Sequence, residues 1–328
     1  MDAAEARGRA EAGQAQQVLV RGPAGMGKSR LLSEFRASQL LRKVTLLSTS
    51  SPGRDRAYPP LTDLLEQACF VLERTLDEAA LAALGERLGA TLLRFAPDLQ
   101  SKPWLASVRP RLFLDLRRSV KDLGELMKTL AQRTERSIVL VVDDAERADP
   151  VHLSLMAGLS AGGRGLPALV LWAAGEAGRP GASALLDEFA SREGTSTLTL
   201  PPLGTPQVNA LIASMIGKAA VEEGFASRLS ILSKGSPLVV EEMVRSLADR
   251  GDIFKQGGRW HSRVTDFSTL SLPKSHEERL LAKAREIPEA ARAVLGAAAL
   301  IRHGVTVDLL SEVTRLDAAE LFEILADR

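Results

Sequence analysis

A glycine-rich stretch near the start of the chain, RGPAGMGKSR over residues 21–30, has residue types and a spacing that suit phosphate binding. It follows the pattern Gly-x-x-x-x-Gly-Lys-Ser, which ends at Ser29. Glycines let the backbone turn tightly, so that successive N–H groups point into one concavity at the start of a helix. In such a loop Lys28 can reach the β- and γ-phosphates, and the Ser29 hydroxyl can ligate Mg²⁺. The alternative is an ordinary glycine-rich turn between a strand and a helix.

Acidic residues at the end of a second apolar run, IVLVVDD, could complete a magnesium–nucleotide site. Asp143 would contact Mg²⁺ through water, and Asp144 could polarise an attacking water molecule. Farther along, Asp149 is expected to cap the next helix, with Pro150 at its first position. Glu146 is an alternative base, although a solvated position in a turn is the favoured interpretation. Taken together, the loop and the acidic run predict nucleotide binding.

A sheet must hold these two segments, and the sequence contains the strands for one. Five short β-type runs occur in the first two hundred residues, at 17–20, 43–50, 137–142, 168–174 and 196–200. Several are continuously apolar, which is typical of strands covered on both faces. Helical patterns separate them, most clearly over 110–132, where Leu112, Phe113 and Leu116 open an apolar series at three- and four-residue steps. This alternation predicts an α/β fold with a doubly wound parallel sheet.

The pattern changes after residue 204. Helical stripes dominate 205–250, a small β-hairpin is predicted at 252–263, and a further helical block fills 274–328. We therefore divide the chain into a sheet domain at 1–204, a helical domain at 205–250 and a hairpin with helices at 251–328. The last helical pattern stops without a cap, so we expect the chain to be part of a longer protein.

Composition narrows the class of protein. The 42 Lys and Arg residues nearly balance the 41 Asp and Glu residues, which disfavours a globally basic nucleic-acid binder. The single cysteine, Cys69, rules out an intramolecular disulfide or a cysteine-based zinc site, and we expect it to be buried in a helix. No signal-peptide core and no apolar run of the ~18 residues that a membrane helix needs is found. We expect a cytoplasmic protein with no membrane or direct nucleic-acid contact.

In order along the chain, these segments resemble the STAND class of P-loop ATPases within the AAA+ group. The likeness is to the ATPase modules of large bacterial LuxR-type regulators and of proteins fused to kinase or nucleotide cyclase domains. The matching segments are GPAGMGKSRLLSEF, AYPPLTDLLE, RLFLDLRRSV, VVDDAERADP and LSKGSPLVVEEMVRSLADRGDI. The first is similar to the family's phosphate loop, the fourth to its acidic strand end, and the last to the Gly-x-Pro segment of its helical lid.

The resemblance implies a five-stranded P-loop sheet domain, a helical lid and a partial winged-helix-like domain, with ATP or ADP and Mg²⁺ as ligands. The predicted nucleotide-binding residues are Gly22, Pro23, Ala24, Gly25, Met26, Gly27, Lys28, Ser29, Arg30 and Pro237. Ser29 and Asp143 are the predicted metal ligands, and Asp144 and Lys28 the predicted catalytic residues. After its fourth strand the family tends to carry a polar or arginine residue that senses the γ-phosphate. In the corresponding AAGEAGRP only Glu176 and Arg179 are polar candidates.

The expected function is a nucleotide-operated switch that hydrolyses ATP slowly. Its expected partners are kinase, cyclase or DNA-binding output domains of a longer chain, together with nucleotide-dependent self-association. Three alternatives use the same phosphate loop: an AAA+ remodelling ATPase with rapid turnover, a small-molecule kinase and a nucleotide-binding scaffold without hydrolysis. The long helical insertion between the second and third strands fits the kinase poorly.

Overall fold

Five parallel strands form one sheet in the computed structural model, which describes residues 16–39, 42–50, 59–113, 115–161, 168–176, 178–192, 194–216, 224–256, 259–263, 287–300 and 306–326. The strands are β1 (Gln16–Arg21), β2 (Val44–Thr49), β3 (Ser137–Val142), β4 (Ala168–Ala174) and β5 (Thr195–Thr199). Their order across the sheet is β2-β3-β4-β1-β5. Each strand lies within one residue of its predicted run at either end. The predicted parallel sheet is confirmed.

Helices cover both faces of this sheet. They are α1 (Lys28–Gln39), α2 (Pro60–Glu73), α3 (Glu78–Phe95), α4 (Leu116–Thr134), α5 (Pro150–Ala161) and α6 (Pro180–Ala190). Successive strand residues point to opposite faces, and the core divides accordingly. Val139 and Val141 pack on one face with Leu32 of α1, whereas Leu140 and Trp172 pack on the other face with residues of the remaining five helices. The sheet is therefore doubly wound, as predicted.

The segment between β2 and β3 corrects one prediction. Helix α4 begins at Leu116, because the carboxylate of Asp115 accepts the backbone N–H of Arg118 and so caps the helix there. Leu112 and Phe113, which the apolar spacing placed on a helix over 110–132, lie before this cap and are 83% and 86% exposed. They match the helical period, but they do not belong to the helix. Cys69 is fully buried in α2, as expected.

After residue 204 the described elements are helical apart from one hairpin. They are α7 (Thr205–Ile216), α8 (Phe225–Ser233), α9 (Pro237–Asp249), β6 (Ile253–Gln256), β7 (Arg259–Ser262), α10 (Glu289–Leu300), α11 (Val307–Thr314) and α12 (Ala318–Ala326). The strands β6 and β7 pair antiparallel, which confirms the hairpin. A small core formed by Val294, Leu310 and Leu321 holds α10 to α12 together.

The chain divides into two compact units. The first contains residues 1–204 and also 234–238, and the second contains 205–233 and 239–328. The return of 234–238 to the first unit matters for the site, because this short segment includes Pro237. Among the helices built from described residues, none has the length and apolar character needed to cross a membrane. The predicted helical pattern at 274–286 and the turn Gly257-Gly258 lie outside the described residues.

Candidate functional site

The phosphate loop connects the end of β1 to the start of α1. Gly25 and Gly27 have φ angles of +81° and +88°, a backbone conformation that costs other residues about 1–2 kcal/mol. A Cβ placed on Gly27 would meet no atom within 4 Å. The loop thus turns through two left-handed glycines and leaves open space beside the second one.

The ammonium group of Lys28 lies inside this loop. Its Nζ donates hydrogen bonds to the carbonyl oxygens of Gly22 at 2.8 Å and Pro23 at 3.0 Å. The residue is only 9% exposed, so a buried cation is placed against the backbone that would hold phosphate. Ser29 follows it and is exposed at the start of α1, where the helix N-terminus favours negative charge.

The side chain of Arg30 contacts a residue outside the phosphate loop. Its guanidinium forms an ion pair with Glu34 at 2.6 Å along the exposed surface of α1. Residues 22–27 form the loop itself, and residues 28–30 begin α1. The predicted contact of Arg30 with nucleotide stays a prediction, whereas Lys28 and the backbone N–H groups already lie around the loop.

The predicted acidic residues occupy the turn after β3. The backbone N–H of Asp143 donates to the carbonyl of Thr49 at 3.0 Å, which ties this turn to the end of β2. The N–H of Asp144 donates to Oδ1 of Asp143 at 2.9 Å, and Asp144 has a left-handed φ of +52°. The carboxyl ends of parallel strands meet at one edge of a sheet, so both acids lie at the edge from which the phosphate loop emerges.

Asp144 has an unusual electrostatic environment. Burial raises the pKa of its carboxyl group above the ordinary value, and the negative charges of Asp143 and Glu146 raise it further. The positive charges of Arg147 and Lys28 act in the opposite direction. Lys28 and the acidic turn are therefore close enough to interact, although β4 lies between β1 and β3 in the sheet.

Two neighbouring acids have different roles. Asp149 caps α5 as predicted, since its Oδ1 accepts the backbone N–H groups of Val151 at 2.8 Å and His152 at 3.3 Å. The expectation that Glu146 is a solvated turn residue is wrong, because it is only 4% exposed. Glu146 is buried because its backbone carbonyl accepts the N–H of Arg179 at 2.8 Å, which docks the turn on the loop that follows β4.

The segment Lys234–Leu238 reaches the phosphate loop from a distant part of the sequence. The backbone N–H of Leu238 donates to the carbonyl of Gly25 at 3.2 Å, and Oγ of Ser236 donates to the same oxygen at 3.5 Å. Gly235 has a φ of +71°, and a Cβ there would lie 2.5 Å from the carbonyl oxygen of Leu203. Pro237, predicted to contact nucleotide, thus lies between two residues that touch the loop.

Ser236 and Leu238 were not predicted as site residues. The sequence signal was present in the Gly-x-Pro pattern, but spacing alone shows no partner more than two hundred positions away. The polar candidates after β4 divide in a similar way. Glu176 is exposed, whereas Arg179 contributes the backbone hydrogen bond to Glu146.

The residues present fit a magnesium-bound nucleotide. The open space beside Gly27, the buried ammonium of Lys28 and the carboxylates after β3 supply, respectively, room, positive charge and hard oxygen ligands. Ser29 and Asp143 would hold Mg²⁺, which would neutralise phosphate charge. Among the described residues, no three His, Cys, Asp or Glu side chains cluster as a metal site of their own.

A parallel sheet in this order, a glycine loop feeding α1 and acids at the end of β3 define a P-loop nucleotide-binding protein. A family model described as AAA ATPase domain matches residues 4–171, just over half of the 328 residues. The chain belongs to this family and is a P-loop ATPase of the AAA+ type.

Other comparisons concern curated proteins and solved structures. No curated protein matches the sequence. Cdc6p from Pyrobaculum aerophilum is similar at 14% identity, covering 96% of this chain and 79% of that chain, with a TM-score of 0.43. Aeropyrum pernix ORC2, solved in ADPNP-ADP complexes, is similar at 13% identity. The match covers 98% of this chain and 84% of that chain, with a TM-score of 0.43. A Thermotoga maritima RuvB variant is similar at 17% identity. The match covers 94% of this chain and 77% of that chain, with a TM-score of 0.35. Likenesses this distant carry no argument about what this chain does.

Proposed function

We propose that this chain is a nucleotide-operated switch of the STAND class, which binds ATP with Mg²⁺ and hydrolyses it slowly. The observation that carries the proposal is the hydrogen bond from the N–H of Leu238 to the carbonyl of Gly25. Through it, the loop that holds phosphate is bonded to the first turn of α9. A change in the loop on nucleotide binding therefore acts directly on the residues that begin this helix.

We expect the phosphate loop to rearrange locally when nucleotide binds. Lys28 now donates two of its three N–H groups to the carbonyls of Gly22 and Pro23, and we expect at least one of these hydrogen bonds to be exchanged for a contact with a phosphate oxygen. The carbonyl of Gly25 lies in the same short loop and is the acceptor for Leu238 and Ser236. Nucleotide binding and the contact of segment 234–238 with the loop are in this way coupled through one stretch of backbone. Such coupling is what a switch requires.

The proposed hydrolysis follows from the residues at the sheet edge. Asp144 orients a water molecule, whose oxygen forms a bond to the γ-phosphorus while the bond to the β–γ bridging oxygen breaks. The proton of the water passes through Asp144 to solvent, and the products are ADP and inorganic phosphate. Lys28 balances the charge on the transferred group, and the backbone N–H groups of residues 24–30 hold the remaining phosphates.

The wider role rests on the resemblance to STAND proteins. ATP would favour an open or self-associating state and ADP a closed one, with kinase, cyclase or DNA-binding domains as the output. The boundaries assigned to the lid at 205–250 and to the winged-helix-like region at 251–328, and the cytoplasmic location, are part of the same proposal.

Nucleotide binding and phosphate release in matched variants test the proposal. Lys28→Ala should lower the affinity for ATP by at least about a hundredfold, since it removes the buried cation that faces phosphate. Lys121→Ala, at an exposed position on α4, is the control and should bind as wild type does. Asp144→Asn should bind ATP but release no phosphate, whereas Asp149→Asn should retain turnover because an asparagine also caps α5. ATP binding that survives Lys28→Ala would overturn the site assignment.

Turnover separates the switch from its competitors. Slow phosphate release that stops in Asp144→Asn supports the switch. Rapid, partner-stimulated release by a stable hexamer would instead support a remodelling ATPase. Binding without any phosphate release by the wild-type protein would support a scaffold.

A further inference from the structure

The end of β4 lies between the phosphate loop and the acidic turn, and it offers almost no side chain of its own. With ~4.8 Å between neighbouring strands, β1 and β3 stand roughly 10 Å apart on either side of it. The strand ends at Ala174 and continues into Gly175, and Glu176 is exposed to solvent. A group that contacts the end of a bound triphosphate from this position must therefore come from another element.

Glu146 fills the space that these residues leave. A Cβ on Gly175 would lie 3.0 Å from Oε1 of Glu146, and one on Gly178 would lie 2.4 Å from its Cβ. The backbone N–H of Arg179 holds the carbonyl of the same residue. Two glycines and one hydrogen bond thus seat a carboxylate of the β3 turn against the end of β4.

The seated carboxylate is costly for the fold. Oε2 of Glu146 is buried and has no hydrogen-bond partner among the described residues, and Oε1 lies 3.6 Å from Nε of Arg147. A buried carboxylate with one long ionic contact is unfavourable for folding, because it loses its hydration and gains little in return. Carboxylates commonly hold guanidinium groups through both oxygens. The carboxylate of Glu146 is thus already paired with Arg147 through Oε1.

Arg147 carries a group that can bind phosphate, and it lies at the edge of the sheet from which the phosphate loop emerges. Its side chain is 28% exposed, and its charge acts on Asp144 together with that of Lys28. The contact with Glu146 involves Nε, and a guanidinium carries four further N–H donors on its two Nη atoms. Planar guanidinium groups bind phosphate oxygens well because they offer paired donors.

We propose that Arg147 binds the terminal phosphate of the bound triphosphate and that Glu146 positions it, so that this pair distinguishes ATP from ADP in place of a residue on β4. The inference rests on the proposed nucleotide function. Glu146 is a positioning residue, since it acts through Arg147. The competing explanation is that the two side chains only close the gap beside Gly175 and Gly178.

Affinities for two nucleotides distinguish these explanations. The full chain is titrated with Mg²⁺ and either ADP or a non-hydrolysable ATP analogue, for wild type, Arg147→Ala, Arg147→Lys and Glu146→Gln. We expect Arg147→Ala to weaken the analogue about tenfold or more and to leave ADP within about twofold. Arg147→Lys should recover part of the loss, because it restores the charge without the paired donors. Arg192→Ala, which removes an exposed ion pair with Glu188, is the control and should change neither affinity.

Coupling between the two residues completes the test. Glu146→Gln keeps the shape of the side chain and should weaken the analogue by a smaller factor than Arg147→Ala. Adding Glu146→Gln to Arg147→Ala should cause no further loss, since a positioning residue has no effect without its partner. Equal weakening of both nucleotides in Arg147→Ala and Arg147→Lys, or of neither, overturns the inference. If the wild-type protein binds neither nucleotide, the proposed function itself fails.

Discussion

The phosphate loop and the turn after β3 lie at the same edge of the sheet, and both depend on glycines for opposite reasons. At Gly27 the position that a Cβ would occupy is open, with no atom within 4 Å. At Gly178 the same position lies 2.4 Å from Cβ of Glu146 and 2.6 Å from its carbonyl oxygen. One glycine keeps space open beside the loop, and the other admits a side chain of the protein.

This difference separates ligand binding from stability. A methyl group added at Gly27 should obstruct nucleotide and add backbone strain, but it displaces no packed side chain. A methyl group added beside Glu146 should disturb the packing of the folded protein whether nucleotide is bound or not. Substitutions at Gly27 and Gly178 therefore allow the effect on nucleotide binding to be measured separately from the effect on packing.

The largest expected effect on stability is at Gly178. Gly178→Ala should lower the free energy of unfolding by about 3 kcal/mol, because its methyl group overlaps backbone and side-chain atoms of Glu146 that are held in place. Urea denaturation measures this loss. Gly124→Ala is the control. Its added methyl group meets no atom within 4 Å in the middle of α4, so it should raise stability by about 0.5–1 kcal/mol. A Gly178→Ala protein as stable as wild type would remove the packing argument.

An intermediate effect on stability is expected at Gly27. Gly27→Ala and Gly194→Ala both place a methyl group in open space on a left-handed backbone, with φ of +88° and +85°. Each should cost about 1–2 kcal/mol of stability. Only Gly27→Ala should also weaken ATP binding, by about tenfold or more. Equal nucleotide affinities in the two variants would show that the space beside Gly27 is not used by the ligand.

The smallest effect is a gain in stability at Asp144. An acid with a raised pKa binds more protons in the folded state, so its charge reduces stability as the pH rises from 3.8 through the folded-state pKa. Without nucleotide or Mg²⁺, Asp144→Asn should therefore melt at a slightly higher temperature than wild type at pH 7. The difference between the two proteins should shrink as the pH falls. A lower melting temperature for Asp144→Asn at pH 7 would mean that Asp144 contributes to the fold.

Local signals in the sequence were sufficient for the sheet, the phosphate loop and the cap of α5. Nearly continuous apolar runs predicted β3 and β4 to the residue, since strands buried on both faces have few polar positions. The cap at Asp149 was predictable because it involves only the next few residues. The start of α4 was misplaced because Leu112 and Phe113 share the helical period, while the cap at Asp115 decides where the helix begins.

Long-range contacts were beyond such signals. The burial of Glu146 depends on Gly175 and Gly178, which belong to a different loop and have no periodic relation to it. The contact of Ser236 with Gly25 joins residues 211 positions apart. Both contacts are made by the folded sheet edge, and both involve residues whose types alone predict a turn or a helix start.

The central claim is that nucleotide in the phosphate loop changes the hydrogen bonds that hold segment 234–238 to the carbonyl of Gly25. Backbone hydrogen exchange at Leu238 reports it directly, because this N–H donates to the carbonyl of Gly25. The rate is compared without nucleotide, with ADP and Mg²⁺, and with a non-hydrolysable ATP analogue and Mg²⁺, in wild type and in Lys28→Ala. We expect the rate at Leu238 to differ among the three wild-type samples and to stay constant in Lys28→Ala. An unchanged rate at Leu238 in wild-type protein saturated with nucleotide would contradict the account.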